Sequence, residues 1–158
     1  NVRTEILAAV RQMEDELGAM EYTGARAICG RGFFDQLVSH PDVKEAYARF
    51  QSGEMLRNDP RAGFPFGGVI FEEYRGKAPD GTPYVADDEA LLFPEGATGL
   101  FLTRFAPANF SETVNQVGLP VYAKLATDPE LGQWARLHIQ SNPLQLVTRP
   151  RAVVQLTA

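Results

Sequence analysis

Cysteine is almost absent from this chain, with Cys29 the single example in 158 residues. An intrachain disulfide is therefore impossible, and so is a zinc site built on a cysteine cluster. Cys29 lies in the apolar run Ala27-Ile28-Cys29, where it reads as a small buried hydrophobe rather than a nucleophile. Histidine is nearly as scarce. His40 precedes Pro41 at an expected helix start, and His138 alternates within an expected strand. No ligand spacing links them, so neither a metal site nor a proton relay is indicated, and His40 reads as a cap or ordinary surface residue. No apolar run reaches the roughly 18 residues of a membrane span, and no signal peptide opens the chain. Intracellular synthesis without membrane insertion is expected. Basic charge is also in deficit: the formal net charge is -5, which provides no electrostatic reason to grip a nucleic-acid backbone.

The composition is otherwise that of a folded protein, 44% hydrophobic and 22% charged. The length suits one domain with a real core, or a compact body with an extended subdomain. Glycine and proline cluster between Gly53 and Pro120, where bent connections are expected. From Asp80 to Glu95 there are five acidic residues and no basic one, whereas Trp134 to Ala158 holds Arg136, Arg149 and Arg151 and no acid. These regions read as two solvated surfaces, or as surfaces that meet within one chain or between copies. The start at Asn1, inside a helical pattern, reads as a trimmed fragment of a longer polypeptide.

Val2, Ile6, Ala9, Val10, Met13 and Leu17 recur at spacings of three and four and predict one helix, closed by Gly18. Ala25 to Cys29 reads as a short strand. Gly30 and Gly32 flank Arg31 without completing a dinucleotide fingerprint and read as turn residues. Phe33, Phe34, Leu37 and Val38 predict a short helix, and Pro41 opens another with the stripe Val43, Ala46, Tyr47 and Phe50. Residues 54–66 read as loop, and 54–68 as a mobile loop that exchanges amide hydrogens faster than Leu100 to Phe105. Strand character returns over Gly67 to Tyr74, Ala90 to Phe93 and Leu100 to Phe105, with Asp80-Gly81 as a turn.

The stretch Trp134 to Thr157 reads as the strand framework of the fold. Alternation of Leu137 with Ile139, of Leu144 with Leu146, and of Ala152, Val154 and Leu156 predicts one buried sheet face. Leu137, Ile139, Leu146, Val154 and Leu156 are expected in the core, with Pro143 and Pro150 at strand starts, edges or bends. Helices first and strands later predict an α+β fold, with helices packed on one face of a mixed or antiparallel sheet.

The dense carboxylate groups are Glu72-Glu73 and Asp87-Asp88-Glu89. Acid–base catalysis needs two carboxylates held across a substrate, but adjacent strand residues point to opposite faces. Asp87 to Glu89 lack the spacing of a calcium loop, and Ser141 has no nucleophile elbow or evident base. No catalytic, cofactor-binding or metal-ligating set emerges, and no enzyme activity or cofactor is expected.

Two long stretches, GLFLTRFAPANFSETVNQVGLPVYAK from Gly99 to Lys124 and IQSNPLQLVTRPRAVVQL from Ile139 to Leu156, closely resemble the major capsid protein E family of tailed bacteriophages. The most specific pieces are Phe105-Ala106-Pro107-Ala108, Glu112-Thr113-Val114-Asn115, Gly118-Leu119-Pro120 and Gln140-Ser141-Asn142-Pro143. FFDQLVSHPDVKEAY and FGGVIFEEYRG upstream resemble the same family. The resemblance implies a C-terminal fragment of a tailed-phage capsid fold. Residues 1–24 would be the downstream part of the spine helix and a connector, 25–133 mainly an axial domain with bent loops, and 134–158 strands completing the body. It also implies a structural subunit of a phage or prophage icosahedral capsid, made in the bacterial host cytoplasm and resident in the virion. Its partners would be other copies of itself in hexamers and pentamers, with scaffold or decoration proteins, and neither a membrane nor a specific DNA sequence. By the same resemblance, the upstream arm and extended loop are absent here, and residues 1–158 alone are expected to form no closed shell. The competing readings are a non-viral protein compartment and a small enzyme using Glu73 or Asp87.

Overall fold

A computed structural model describes residues 1–49, 61 and 63–158, the side chains of 47–49 excepted. In chain order the elements are α1 (Val2–Leu17), β1 (Gly24–Cys29), α2 (Arg31–Ser39), α3 (Pro41–Arg49), β2 (Phe64–Phe66), β3 (Val69–Glu73), β4 (Glu89–Glu95), β5 (Phe101–Phe105), β6 (Tyr122–Thr127), β7 (Ala135–Gln140), β8 (Pro143–Val147) and β9 (Val154–Thr157). They fall into two compact units: Asn1–Thr98 with Arg149–Ala158, and Gly99–Thr148. Among the described residues no helix is long and apolar enough to cross a membrane.

The first unit is built on a five-stranded sheet in the order β2-β3-β1-β4-β9. β1 and β3 run parallel, joined by a connection that includes the two short helices, and the other pairs are antiparallel. This is the expected mixed sheet. Cross-strand register places Phe64, Phe71, Ala27, Leu92 and Val154 in one row across all five strands, and every member is buried. α1 packs against β4 and β9, and α2 against β3 and β4. The rings gather at the β2–β3 end, where Phe34 of α2 meets Phe64 edge-on with centroids 6.5 Å apart. The alternate row is half-exposed and carries Arg26, whose guanidinium bridges Glu95 at 2.5 Å and Glu72 at 2.7 Å on the neighbouring strands.

α1 follows its sequence pattern, burying Ile6, Ala9, Met13 and Leu17. Asn1 caps its start, its side-chain oxygen accepting from the Arg3 N–H at 3.0 Å. Its far end stops at Gly18, with φ of 60°. There the Arg149 guanidinium donates to the carbonyls of Leu17 and Glu16, placing a cation where the helix leaves unpaired acceptors. Arg151 approaches Glu16 at 3.9 Å. Two of the three arginines near the C-terminus therefore serve the end of α1.

Two expectations are corrected here. Of the stretch read as loop, residues 54–60 and 62 lie outside the described residues, but Phe64–Phe66 is a strand and Phe64 is fully buried. Gly67 and Gly68, at φ of 63° and 87°, make the two-residue turn that folds β2 onto β3, a geometry in which both positions favour glycine. Pro65 is tolerated because β2 is an edge strand. Over Phe64–Phe66 the expected contrast in exchange with Leu100 to Phe105 loses its basis, since β2 is anchored in the core while Phe101 of β5 is half-exposed.

The second correction concerns the stretch from Trp134 to Thr157. It does not form one sheet: among the described residues β7 pairs only with β6, β8 only with β5, and β9 joins the main sheet. Pro143 opens β8, and Pro150 opens a 3-10 turn before β9. Val154 is buried and Leu156 half-buried, but Leu137, Ile139 and Leu146 are exposed. Alternation identified the strands correctly. It carried no information on whether a second layer covers them, and a two-stranded ribbon has none of its own.

Candidate assembly surface

The residues singled out for possible chemistry have structural partners. Cys29 is fully buried, its thiol 3.7 Å from the Ala27 carbonyl. Burial pushes its pKa up to about 12. His40 sits between α2 and α3, and its Nδ1 accepts from the Asp42 N–H at 3.2 Å, a cap for the start of α3. Glu72 and Glu73 diverge as adjacent strand residues must: Glu72 pairs with Arg26, while Glu73 lies 3.7 Å from Arg31 and 3.9 Å from Arg75. His138 packs edge-on against Phe110 with centroids 5.6 Å apart. The Ser141 hydroxyl donates to the Pro120 carbonyl at 2.7 Å.

The acidic run 87–89 is a backbone junction. The Asp87 carbonyl accepts from Phe33 N–H, the Glu89 carbonyl from Gly30 N–H and the Asp88 carbonyl from Ala158 N–H, at 2.8, 2.8 and 3.0 Å. The Asp87 carboxylate lies against Gly32 in the first turn of α2, where the helix dipole favours negative charge. Among the described residues, no group of three or more His, Cys, Asp or Glu side chains could hold a metal ion.

The buried thiol makes a testable prediction about pH. Its folded pKa lies above the value of about 8.5 for a free cysteine. The protonated thiol's contribution to stability is therefore complete below about pH 8.5 and is lost as the pH rises toward 12. Within that window the unfolding free energy is expected to fall by up to about 1.4 kcal/mol per pH unit from this group. Denaturant unfolding of wild type and Cys29→Ala between about pH 9 and 11 isolates it, and the variant should show the shallower alkaline decline. Parallel declines would refute the assignment.

The feature missed in the sequence is the surface of the second unit. Three residues in Gly99–Thr148 are buried: Leu100, Ala108 and Thr113. Of the 16 exposed large hydrophobic residues described, 13 belong to this unit. Trp134, Leu131 and Val117 are among them, the last 90% exposed. The one legible signal was charge: residues 99–148 hold three basic and three acidic residues, so the whole formal charge of -5 lies elsewhere.

Local hydrogen bonds shape this unit in place of a core. Asn142 Nδ2 donates to the Pro107 carbonyl at 2.9 Å, and Ala106 N–H donates to the Asn142 carbonyl at 2.9 Å. Thr113 Oγ1 donates to the Ala108 carbonyl at 2.5 Å. These contacts involve segments that carried the family resemblance. Extended ribbons with exposed apolar side chains and little interior are suited to being covered by another surface.

Over 163 residues the chain is 37% identical to the major capsid protein of Pseudomonas phage KPP10, covering 90% of this chain and 45% of that protein. Its fold matches the crystal structure of the capsid protein assigned to a prophage of E. coli CFT073, with a TM-score of 0.54 and 17% identity, over 98% of this chain and 46% of that one. The chain thus spans less than half the length of either. The family described as phage major capsid protein E matches across residues 1–158, and the chain belongs to that family.

Proposed function

We propose that the chain is part of the structural subunit of a tailed-phage or prophage icosahedral capsid, which assembles through copies of itself into hexamers and pentamers around packaged DNA. Its place is the virion shell, with scaffold or decoration proteins as further partners, and its role is structural rather than enzymatic. The observation that carries this reading is the second unit, with 13 exposed large hydrophobic residues against three buried positions. A monomer gains nothing from such a surface, whereas a shell subunit uses the same surface at every repeat. Residues 1–24 are assigned to the spine helix and connector, 25–133 mainly to the axial domain, and 134–158 to strands completing the body. The length of α1, Val2–Leu17, suits the first assignment.

The test is assembly of the full-length protein, co-expressed with its neighbouring genes where a scaffold is required. Electron microscopy should show closed shells of uniform diameter built from pentamers and hexamers. A full-length product that stays monomeric with those genes present would reject the reading.

A further inference from the structure

The β6–β7 ribbon has two chemically different faces. One carries the cross-strand pairs Tyr122–Gln140, Lys124–His138 and Ala126–Arg136. Its own unit already occupies part of that polar face: Lys124 Nζ lies 4.9 Å from the Phe110 ring centroid and 2.7 Å from the Glu112 carboxylate, while Phe110 also meets His138. The other face carries Ala123–Ile139, Leu125–Leu137 and Thr127–Ala135. It has no charged residue, and Leu125, Leu137 and Ile139 are each more than 60% exposed. This is the reverse of an ordinary surface ribbon, which turns its apolar face inward.

We infer that the apolar face of the β6–β7 ribbon is a contact surface between copies of this chain, covered by a neighbouring copy in the assembled shell. The inference rests on the capsid reading above and adds the surface on which copies meet. Charge favours a second copy as the occupant. Like-charged chains repel, but residues 99–148 are neutral, so copies meeting through this unit escape most of that repulsion. Size sets the strength of the contact. A ribbon about 20 Å long and 10 Å wide offers a footprint of roughly 200 Å², far below the roughly 800 Å² per partner of a stable pair. The contact is weak once and strong only when repeated around a closed ring, as multivalent assembly provides. The exposed cross-strand pair Phe101–Val147 of the β5–β8 ribbon gives the same unit further apolar surface for another neighbour.

Thiol labelling of full-length Leu137→Cys distinguishes the outcomes. Labelling is read at residue 137 itself by peptide mass spectrometry, with Cys29, fully buried and with a raised pKa, as a silent internal control. The introduced thiol should label rapidly in unassembled subunits and about tenfold or more slowly in shells. Equal rates in both states would overturn the inference while leaving the capsid reading intact. Slow labelling already present in unassembled subunits would also overturn it, because the cover would then belong to the same chain. Failure of the wild-type protein to close shells would reject the capsid reading and this inference with it. Thr127→Cys, on the same face, replaces the probe if Leu137→Cys hinders closure.

Discussion

Phe71→Ala is expected to destabilise the first unit by about 3–5 kcal/mol, the range for truncating a buried aromatic. Phe71 is fully buried on β3, between Ala27 of β1 and Phe64 of β2 in the row that spans the sheet. The lost ring leaves a cavity that its neighbours fill poorly. Ala27 is too short, and Phe64 is held by the Phe34 ring and by the hairpin turn. Leu137→Ala removes a comparable aliphatic group from the second unit, yet it should change the unfolding free energy of the unassembled protein by less than about 0.5 kcal/mol. Leu137 is 61% exposed there, so water already occupies most of the space around it. Denaturant unfolding of both variants, read with a probe in each unit, measures the contrast. Similar losses at the two positions would mean that the ribbon is covered within the unassembled subunit.

Gly30→Ala is expected to destabilise the first unit by about 3 kcal/mol or more, at the upper end for overpacking. The reason is crowding rather than backbone conformation, since Gly30 has φ of -66° and ψ of 162°, which any residue adopts. An added Cβ would stand 1.9 Å from the Ala86 carbonyl oxygen and 2.7 Å from that of Asp87. Both obstacles are backbone. Relief requires residues 86–89 to move, which stretches the Gly30 N–H to Glu89 and Phe33 N–H to Asp87 hydrogen bonds, both 2.8 Å. Gly81→Ala is the matched control. Gly81 has φ of 88° with open space around its missing Cβ, so it should lose only about 1–2 kcal/mol from left-handed backbone strain. A Gly30→Ala midpoint no lower than that of Gly81→Ala would show that the 86–89 segment yields freely.

The sequence by itself determined the elements whose causes are local. The stripe from Val2 to Leu17, with Gly18 after it, contains the information for α1, because helix bonds and caps join residues a few positions apart. The Asp80-Gly81 turn is local for the same reason: Asp80 Oδ1 accepts from Thr82 N–H at 2.9 Å. The helix start at Pro41 and the strand over Ala25 to Cys29 were equally legible. So was the divergence of Glu72 and Glu73, which follows from the two-residue period of a strand. Family membership was carried by ordered segments, such as Gln140 to Pro143, whose residues now hold the second unit together.

Tertiary structure alone decided which strands share a sheet and which faces are covered. Phe64–Phe66 looked like loop because three residues and a proline show too little alternation. It became core because the Gly67-Gly68 turn returned it to β3. Leu137 and Ile139 carry the same alternation as Val154, yet only Val154 is packed against helices, because β9 pairs with β4 while β7 pairs with β6. Period two reports that a strand has two faces. Burial depends on another layer arriving from elsewhere in the chain or from another molecule, and that is a long-range property which no short window of sequence contains.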